Sequence, residues 1–181
     1  MADRTTAVRN STGRLKRVLL GKPTYHRNIP VSDVARDLDD AGIERDHETK
    51  VKQHQELEDV FRQLSIDISW VTLEPEKMPW QMFTRDFGVN TPQGVLVGRF
   101  RYQERKGEEI AAKRSLEDLG ETLLPEQITR GAAEGGDLFW LDQETLVIGN
   151  GNRSTYAGYE QAKEILTPYG QRVFVIEFLS K

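Results

Sequence analysis

The chain has 181 residues, 37% hydrophobic and 30% charged, with a formal net charge of −4 and a pI near 5.5. That length suits one domain burying roughly 70% of its unfolded surface, and the acidic balance excludes non-specific binding to nucleic acid or anionic membranes as the main task. Cysteine is absent, which excludes disulfides and thiolate metal sites.

No apolar run approaches the roughly 20 residues of a membrane span, and no apolar segment follows the basic start MADRTTAVRNSTGRLKR. The expectation is a cytoplasmic single domain over residues 1–181, with residues 1–13 loose. Leu15 to Gly21 reads as the first strand, stopped by Gly21 and Pro23. Residues 22–45 read as a long polar connection of the kind used as a lid or binding loop. It carries His26, read as a solvated loop histidine. Thr49 to Leu64 is an amphipathic helix whose stripe is Val51, Leu57, Val60, Phe61 and Leu64. His54 lies off that stripe and is expected to face solvent. Ile66 to Thr72 alternates as a strand should, and EPEKMP is a turn.

Trp80 to Arg105 carries an acid in a strand (Asp86), a polar turn from Thr91 to Gly94, an apolar triplet and Gly98. A helix follows over about Glu108 to Leu119. Glu134 then precedes paired glycines and Asp137, and a hairpin runs from Leu138 to Gly149 around a bend at Asp142-Gln143-Glu144. A Gly/Asn loop delivers Arg153, a helix spans about Tyr156 to Leu166, and Arg172 to Phe178 forms the last strand.

These segments repeat. Asp86 precedes Gly98 by twelve residues, and Asp137 precedes Gly149 by twelve. Matching triplets, Val95-Leu96-Val97 and Leu146-Val147-Ile148, stand before the two glycines, and Val18-Leu19-Leu20-Gly21 is a third copy. Small repeated sheets with helices outside point to radial repetition, with ligand sites at the common axis. A second relation joins Asp86 to Arg105 and Glu134 to Arg153, each nineteen residues apart. Two acids at one axis suit a planar cation, because carboxylate and guanidinium match as a charge-assisted fork. The arginines would hold a carboxylate at the other end of the ligand. The alternative reading pairs the acids with neighbouring arginines at the surface.

The segments FTRD (Phe83 to Asp86), EGGD (Glu134 to Asp137) and GNGNR (Gly149 to Arg153) resemble those of the guanidino-group-modifying enzymes, which include arginine deiminases, dimethylarginine dimethylaminohydrolases and amidinotransferases. The resemblance implies an α/β fold of the pentein type, a propeller of ββαβ units, with about three to four of its five units present. It implies that Asp86 and Glu134 are catalytic acids that grip a guanidinium, Glu134 also placing a histidine. It implies that Arg153 and Arg105 bind the substrate carboxylate. Trp80 stands where the deiminase branch has asparagine.

The family's nucleophile is a cysteine thiolate, and its acid and base is a histidine in an HxD motif downstream of the glycine loop. This sequence has no cysteine, and His26, His47 and His54 all precede FTRD. The expectation is therefore the N-terminal part of a guanidino-modifying hydrolase or amidinotransferase, inactive alone, acting with no metal or organic cofactor on a small guanidino compound such as arginine. Self-association, or a complementing C-terminal segment carrying the histidine and cysteine, is expected to cover its open ends. The alternative is a non-catalytic module that binds arginine-like ligands.

Overall fold

The run RVLL forms β1 (Arg17–Leu20) because its backbone finds a parallel partner in β2 (Asp67–Trp70), Arg17 lying opposite Asp67 and Leu20 opposite Trp70. The computed structural model describes residues 11–27, 29–31, 33–43, 46–72 and 78–178. They gather into two compact units, Leu15–Thr84 and Arg85–Lys181 with Met1–Arg14. Most of the stretch expected to be loose, residues 1–10, and residues 74–77 of the EPEKMP turn lie outside the described residues.

In the unit Leu15–Thr84, parallel strands demand a crossover, and helices supply it. The connection over 22–45 is not wholly irregular. It contains a 3-10 turn (Pro23–Tyr25) and a helix, α1 (Asp33–Asp40). Asp33 in the first turn complements the helix dipole, and Arg36 pairs with it while donating to the Pro30 carbonyl at 3.4 Å. The longer helix α2 (His47–Gln63) starts two residues before the expected Thr49. Asp46 caps it, accepting from the backbone of Glu48 and Thr49 at 3.2 and 3.1 Å.

The face that α2 buries is not the expected one. Val51, Leu57, Val60 and Leu64 of the expected stripe are 44–60% exposed and its Phe61 is half-buried, whereas the His54 side chain is only 8% exposed and Glu58 is buried. A ladder at four-residue spacing explains the inversion. His54 Nδ1 lies 3.1 Å from Glu58 Oε1, and Arg62 donates to Glu58 Oε2 at 2.7 Å. Polar groups that satisfy one another in this way turn inward at little cost. The His54 ring also lies 6.0 Å from Trp70. Nor is His26 simply solvated: it is half-buried, edge-on to Phe83 at 5.8 Å.

The unit containing Arg85–Lys181 holds two successive runs of strand, strand, helix and extended chain. In the first, β3 (Gly88–Thr91) and β4 (Gly94–Val97) make a hairpin, followed by α3 (Glu108–Asp118). Residues 122–124 then return beside β4, with Val95 donating to the Thr122 carbonyl and Leu124 to that of Val95. In the second, β5 (Leu138–Trp140) pairs antiparallel with β6 (Thr145–Asn150), and α4 (Tyr156–Leu166) leads to β7 (Arg172–Glu177), parallel to β6. Asp142 closes the hairpin bend by accepting from the backbone of Glu144 and Thr145 at 2.8 and 2.7 Å. Leu96, Leu138, Leu146, Ile148, Ala162 and Leu166 form the centre of one core that joins both runs.

The repeat foreseen in the sequence is thus an alternation of real elements, with one amendment. Asp86 is not in a strand but in a 3-10 turn (Thr84–Phe87) just before β3. Asp137 ends the matching turn (Gly135–Asp137) just before β5. The repeat glycines have a steric cause. A Cβ on Gly98 would lie 2.4 Å from the Ala133 carbonyl oxygen, and one on Gly149 would lie 2.6 Å from the Phe178 ring. Each run ends where the next stretch of chain presses against it.

Among the described residues β7 pairs on one side only, and along its exposed face the charged Arg172 is followed by the apolar Phe174 and Ile176. Phe174, Ile176 and Phe178, with Phe139 of β5 across the same sheet face, are 40–66% exposed. No helix among the described residues is long and apolar enough to cross a membrane.

Candidate functional site

The backbone brings two loops together before any side chain acts. Arg99 and Ala133 exchange hydrogen bonds of 2.9 and 3.1 Å, placing the chain after β4 beside the chain that leads into Glu134. The backbone of Glu134 donates to Ser154 Oγ at 3.0 Å, which ties it to the loop after β6. Asp86, Arg105, Glu134 and Arg153, the four residues expected at the site, all belong to the unit that contains Arg85–Lys181.

Arg105 is the hub. Its side chain is 0% exposed, and Nη1 lies 2.5 Å from Asp86 Oδ2 and 3.6 Å from Glu134 Oε2. The opposite edge of the guanidinium grips a residue that the sequence reading missed, Glu108: Nε and Nη2 donate to its Oε2 at 3.0 and 2.7 Å. Phe100 floors the group, its ring centroid 4.1 Å from Cζ. Burial pulls the Arg105 pKa down, but the carboxylates of Glu108 and Asp86 outweigh it and the net direction is up. The spacing Arg-x-x-Glu at the start of a helix was the available signal for Glu108.

Glu134 is held from several sides. Its Oε1 accepts the Arg101 backbone N–H at 3.2 Å, and its Oε2 accepts Arg153 Nη1 at 3.1 Å. Arg153 lies over Tyr102, 5.1 Å from the ring centroid, and its side chain stays 38% exposed. Each acid therefore meets the arginine nineteen residues after it, Asp86 with Arg105 and Glu134 with Arg153. The arrangement is a chain of three carboxylates and two guanidiniums. Its members contain neither thiol nor imidazole, and the three histidines all belong to the unit Leu15–Thr84.

Burial is also the chief reason that the pKa of Glu108 and that of Glu134 are raised, against the pull of the arginines. Glu108 Oε1 is buried with no hydrogen-bond partner among the described residues, which adds to the cost of its charge. These carboxyls hold protons more tightly folded than unfolded. Their stabilising contribution is complete below the ordinary carboxylate range and is lost as pH rises through the raised folded value. Urea midpoints taken between about pH 4 and pH 8 should fall with pH more steeply in the wild type than in Glu108→Gln. Equal slopes would remove Glu108 from this role.

Comparison with known proteins decides the family. The family model for arginine deiminase matches residues 43–180. The chain belongs to the arginine deiminase family. A putative arginine deiminase of Mycoplasma pneumoniae is 31% identical over 109 residues, 56% of this chain and 27% of the relative. An uncharacterized protein of Bacillus subtilis is 25% identical over 166 residues, covering 91% of this chain and 56% of its own length. Another, from Caenorhabditis elegans, is 32% identical over 127 residues, 65% of this chain and 43% of the relative. The chain thus spans about half or less of these curated relatives.

Among solved structures, a dimethylarginine dimethylaminohydrolase adduct with S-methyl-L-thiocitrulline superposes with a TM-score of 0.74 at 19% identity, covering 93% of this chain and 63% of that one. The enzyme from Pseudomonas aeruginosa, complexed with citrulline, gives 0.75 at 18% identity, covering 92% and 62%. This member of the arginine deiminase family therefore shares the α/β fold of these solved structures.

Proposed function

We propose that this chain supplies the guanidinium-holding part of an enzyme acting on C–N bonds of arginine-like compounds, with Asp86 and Glu134 as the clamp. The observation that carries this reading is their convergence: one guanidinium nitrogen, Nη1 of Arg105, lies 2.5 Å from Asp86 and 3.6 Å from Glu134. Two acids that close on one such group suit a guanidinium ligand beside it. Support from relatives lies in the citrulline complex of the Pseudomonas aeruginosa enzyme and in the cyanobacterial arginine dihydrolase bound to its substrate. Arg153, half-exposed, is the arginine placed to meet a ligand carboxylate. Arg105, sealed between Asp86 and Glu108, acts in this reading as a positioning residue that aims the acids. Titration calorimetry with L-arginine tests it. Asp86→Asn and Glu134→Gln should each weaken binding about tenfold to a hundredfold, as loss of a charge-assisted hydrogen bond does. No binding by the wild type, or binding that neither change affects, would overturn the clamp.

The sequence holds no thiol, so the chain by itself should bind without turnover. We propose a pentein propeller completed either by further ββαβ units on a complementing segment or by another copy of the chain. The apolar face of β7 and the exposed α2 stripe are the surfaces such units would cover. In isolation the chain should associate on concentration, as light scattering would reveal. Replacing Phe174 and Ile176 together by serine should reverse this. A monodisperse monomer at high concentration would count against open ends.

A further inference from the structure

Resting on the clamp reading, we infer that Arg153 is a built-in competitor for the clamp: its guanidinium occupies Glu134 until a ligand guanidinium displaces it. The geometry carries this. Glu134 is almost fully buried and both of its oxygens are engaged, Oε1 by the Arg101 backbone and Oε2 by Arg153 Nη1. Arg101 N is fixed in the chain, so Oε1 is not easily released. Arg105 is enclosed and anchored by two bonds to Glu108, and its Nη1 stands 3.6 Å from Oε2, beyond a good hydrogen bond.

Arg153 differs from both. It holds Glu134 through one nitrogen at 3.1 Å, and its side chain is 38% exposed. It also has the aromatic face of Tyr102 to rest on. Of the groups on Glu134, it is the one whose side chain water reaches, compared with Arg105 at 0% exposure. Its contact also has the chemistry of the incoming group, since guanidinium exchanges for guanidinium on the same carboxylate oxygen with no change in the local charge.

The exchange makes the site selective. A ligand carrying only a guanidinium displaces Arg153 without compensation. A ligand that also carries a carboxylate offers the displaced arginine a new anionic partner. The occupied clamp thereby favours amino acids over simple guanidines, through the cost of opening rather than through shape alone.

Calorimetry on the whole chain tests this with two probes, methylguanidinium and L-arginine, against wild type, Arg153→Ala and Arg153→Lys. Titrations are run at about pH 8.5, well above the ordinary carboxylate range, to oppose the burial that raises the Glu134 pKa. In Arg153→Ala, methylguanidinium should bind about tenfold more tightly, because Oε2 is vacated, while L-arginine gains nothing or weakens. The preference for L-arginine should therefore fall at least about tenfold, and Arg153→Lys, which keeps the charge without the planar fork, should lie between. Unchanged or weaker methylguanidinium binding in Arg153→Ala would show that Arg153 only shapes Glu134 and would overturn the exchange alone. Failure of wild type and Arg153→Ala to bind either probe would remove the clamp reading and the exchange with it.

Discussion

Arg105→Ala should cost about 3–5 kcal/mol of stability, the range for removing one partner of a buried ion pair. The side chain is 0% exposed, and it neutralises Asp86 and Glu108 directly while standing 3.6 Å from Glu134. Its loss leaves three acids facing one another, with Arg153 still bonded to Glu134 and Arg85 acting on Asp86 through charge alone. Such a cost is a large share of the total stability of a domain this size, so the variant should unfold at far lower urea or fail to accumulate. The control is a double replacement, Arg105→Met with Glu108→Leu. Removing both charges of the enclosed pair should cost much less than Arg105→Ala alone, because the unpaired charge and not the missing bond dominates the loss. Additive losses in the double variant would mean that the two groups are not coupled. A single variant as stable as the wild type would mean that the pair is not buried.

The second large effect is steric. An ideal Cβ on Gly135 would lie 2.4 Å from the carbonyl oxygens of both Arg85 and Gly88 and 2.6 Å from the Gly88 nitrogen. All three are backbone atoms and cannot rotate aside. Gly135→Ala should therefore destabilise by about 3 kcal/mol, the upper end for overpacking. It should also weaken any ligand held between the acids, since the loop carrying Glu134 is pressed away from the turn carrying Asp86. Gly170→Ala makes the comparison clean. That glycine has φ +81° and open space around it, so the change carries only the left-handed backbone penalty of about 1–2 kcal/mol. If Gly135→Ala were no worse than Gly170→Ala by urea midpoint, the close approach of the two loops would be disproved.

What was legible in the sequence was periodicity, and what was not was the partner of each polar group. Val95-Leu96-Val97 and Leu146-Val147-Ile148 announced β4 and β6 because a strand buried on both faces writes itself as an apolar run. The glycines after them are a record of crowding, and the twelve-residue register made that record readable. The nineteen-residue relation was visible too, and it holds as two ion pairs, Asp86 with Arg105 and Glu134 with Arg153. Of the two readings left open, a ligand clamp and pairing with neighbouring arginines, the second describes the contacts present. It differs in burial, since Arg105 is enclosed and not at the surface.

Glu108 was missed because a charged residue at the first turn of a helix normally reads as solvated and dipole-matched. Only the fold reveals that Arg105 turns inward beneath it. The same blindness misplaced His54. Its apolar neighbours Val51, Leu57 and Val60 form a proper helical stripe, and no property of the helix alone says that its His54–Glu58–Arg62 ladder is the face turned against Trp70. Patterning reports amphipathicity, while tertiary packing decides which face is used.

The enclosure of Arg105 has a further consequence for behaviour in salt. Mobile ions screen charges that water reaches, and at about 0.15 M they do so within about 8 Å. The Arg130–Glu164 and Arg62–Asp59 pairs, each more than half exposed, lie open to that screening. The bonds of Arg105 to Glu108 exclude it, both side chains being wholly covered. Rising ionic strength should therefore slow the electrostatic attraction of a charged ligand from solution while leaving the alignment of the buried acids intact.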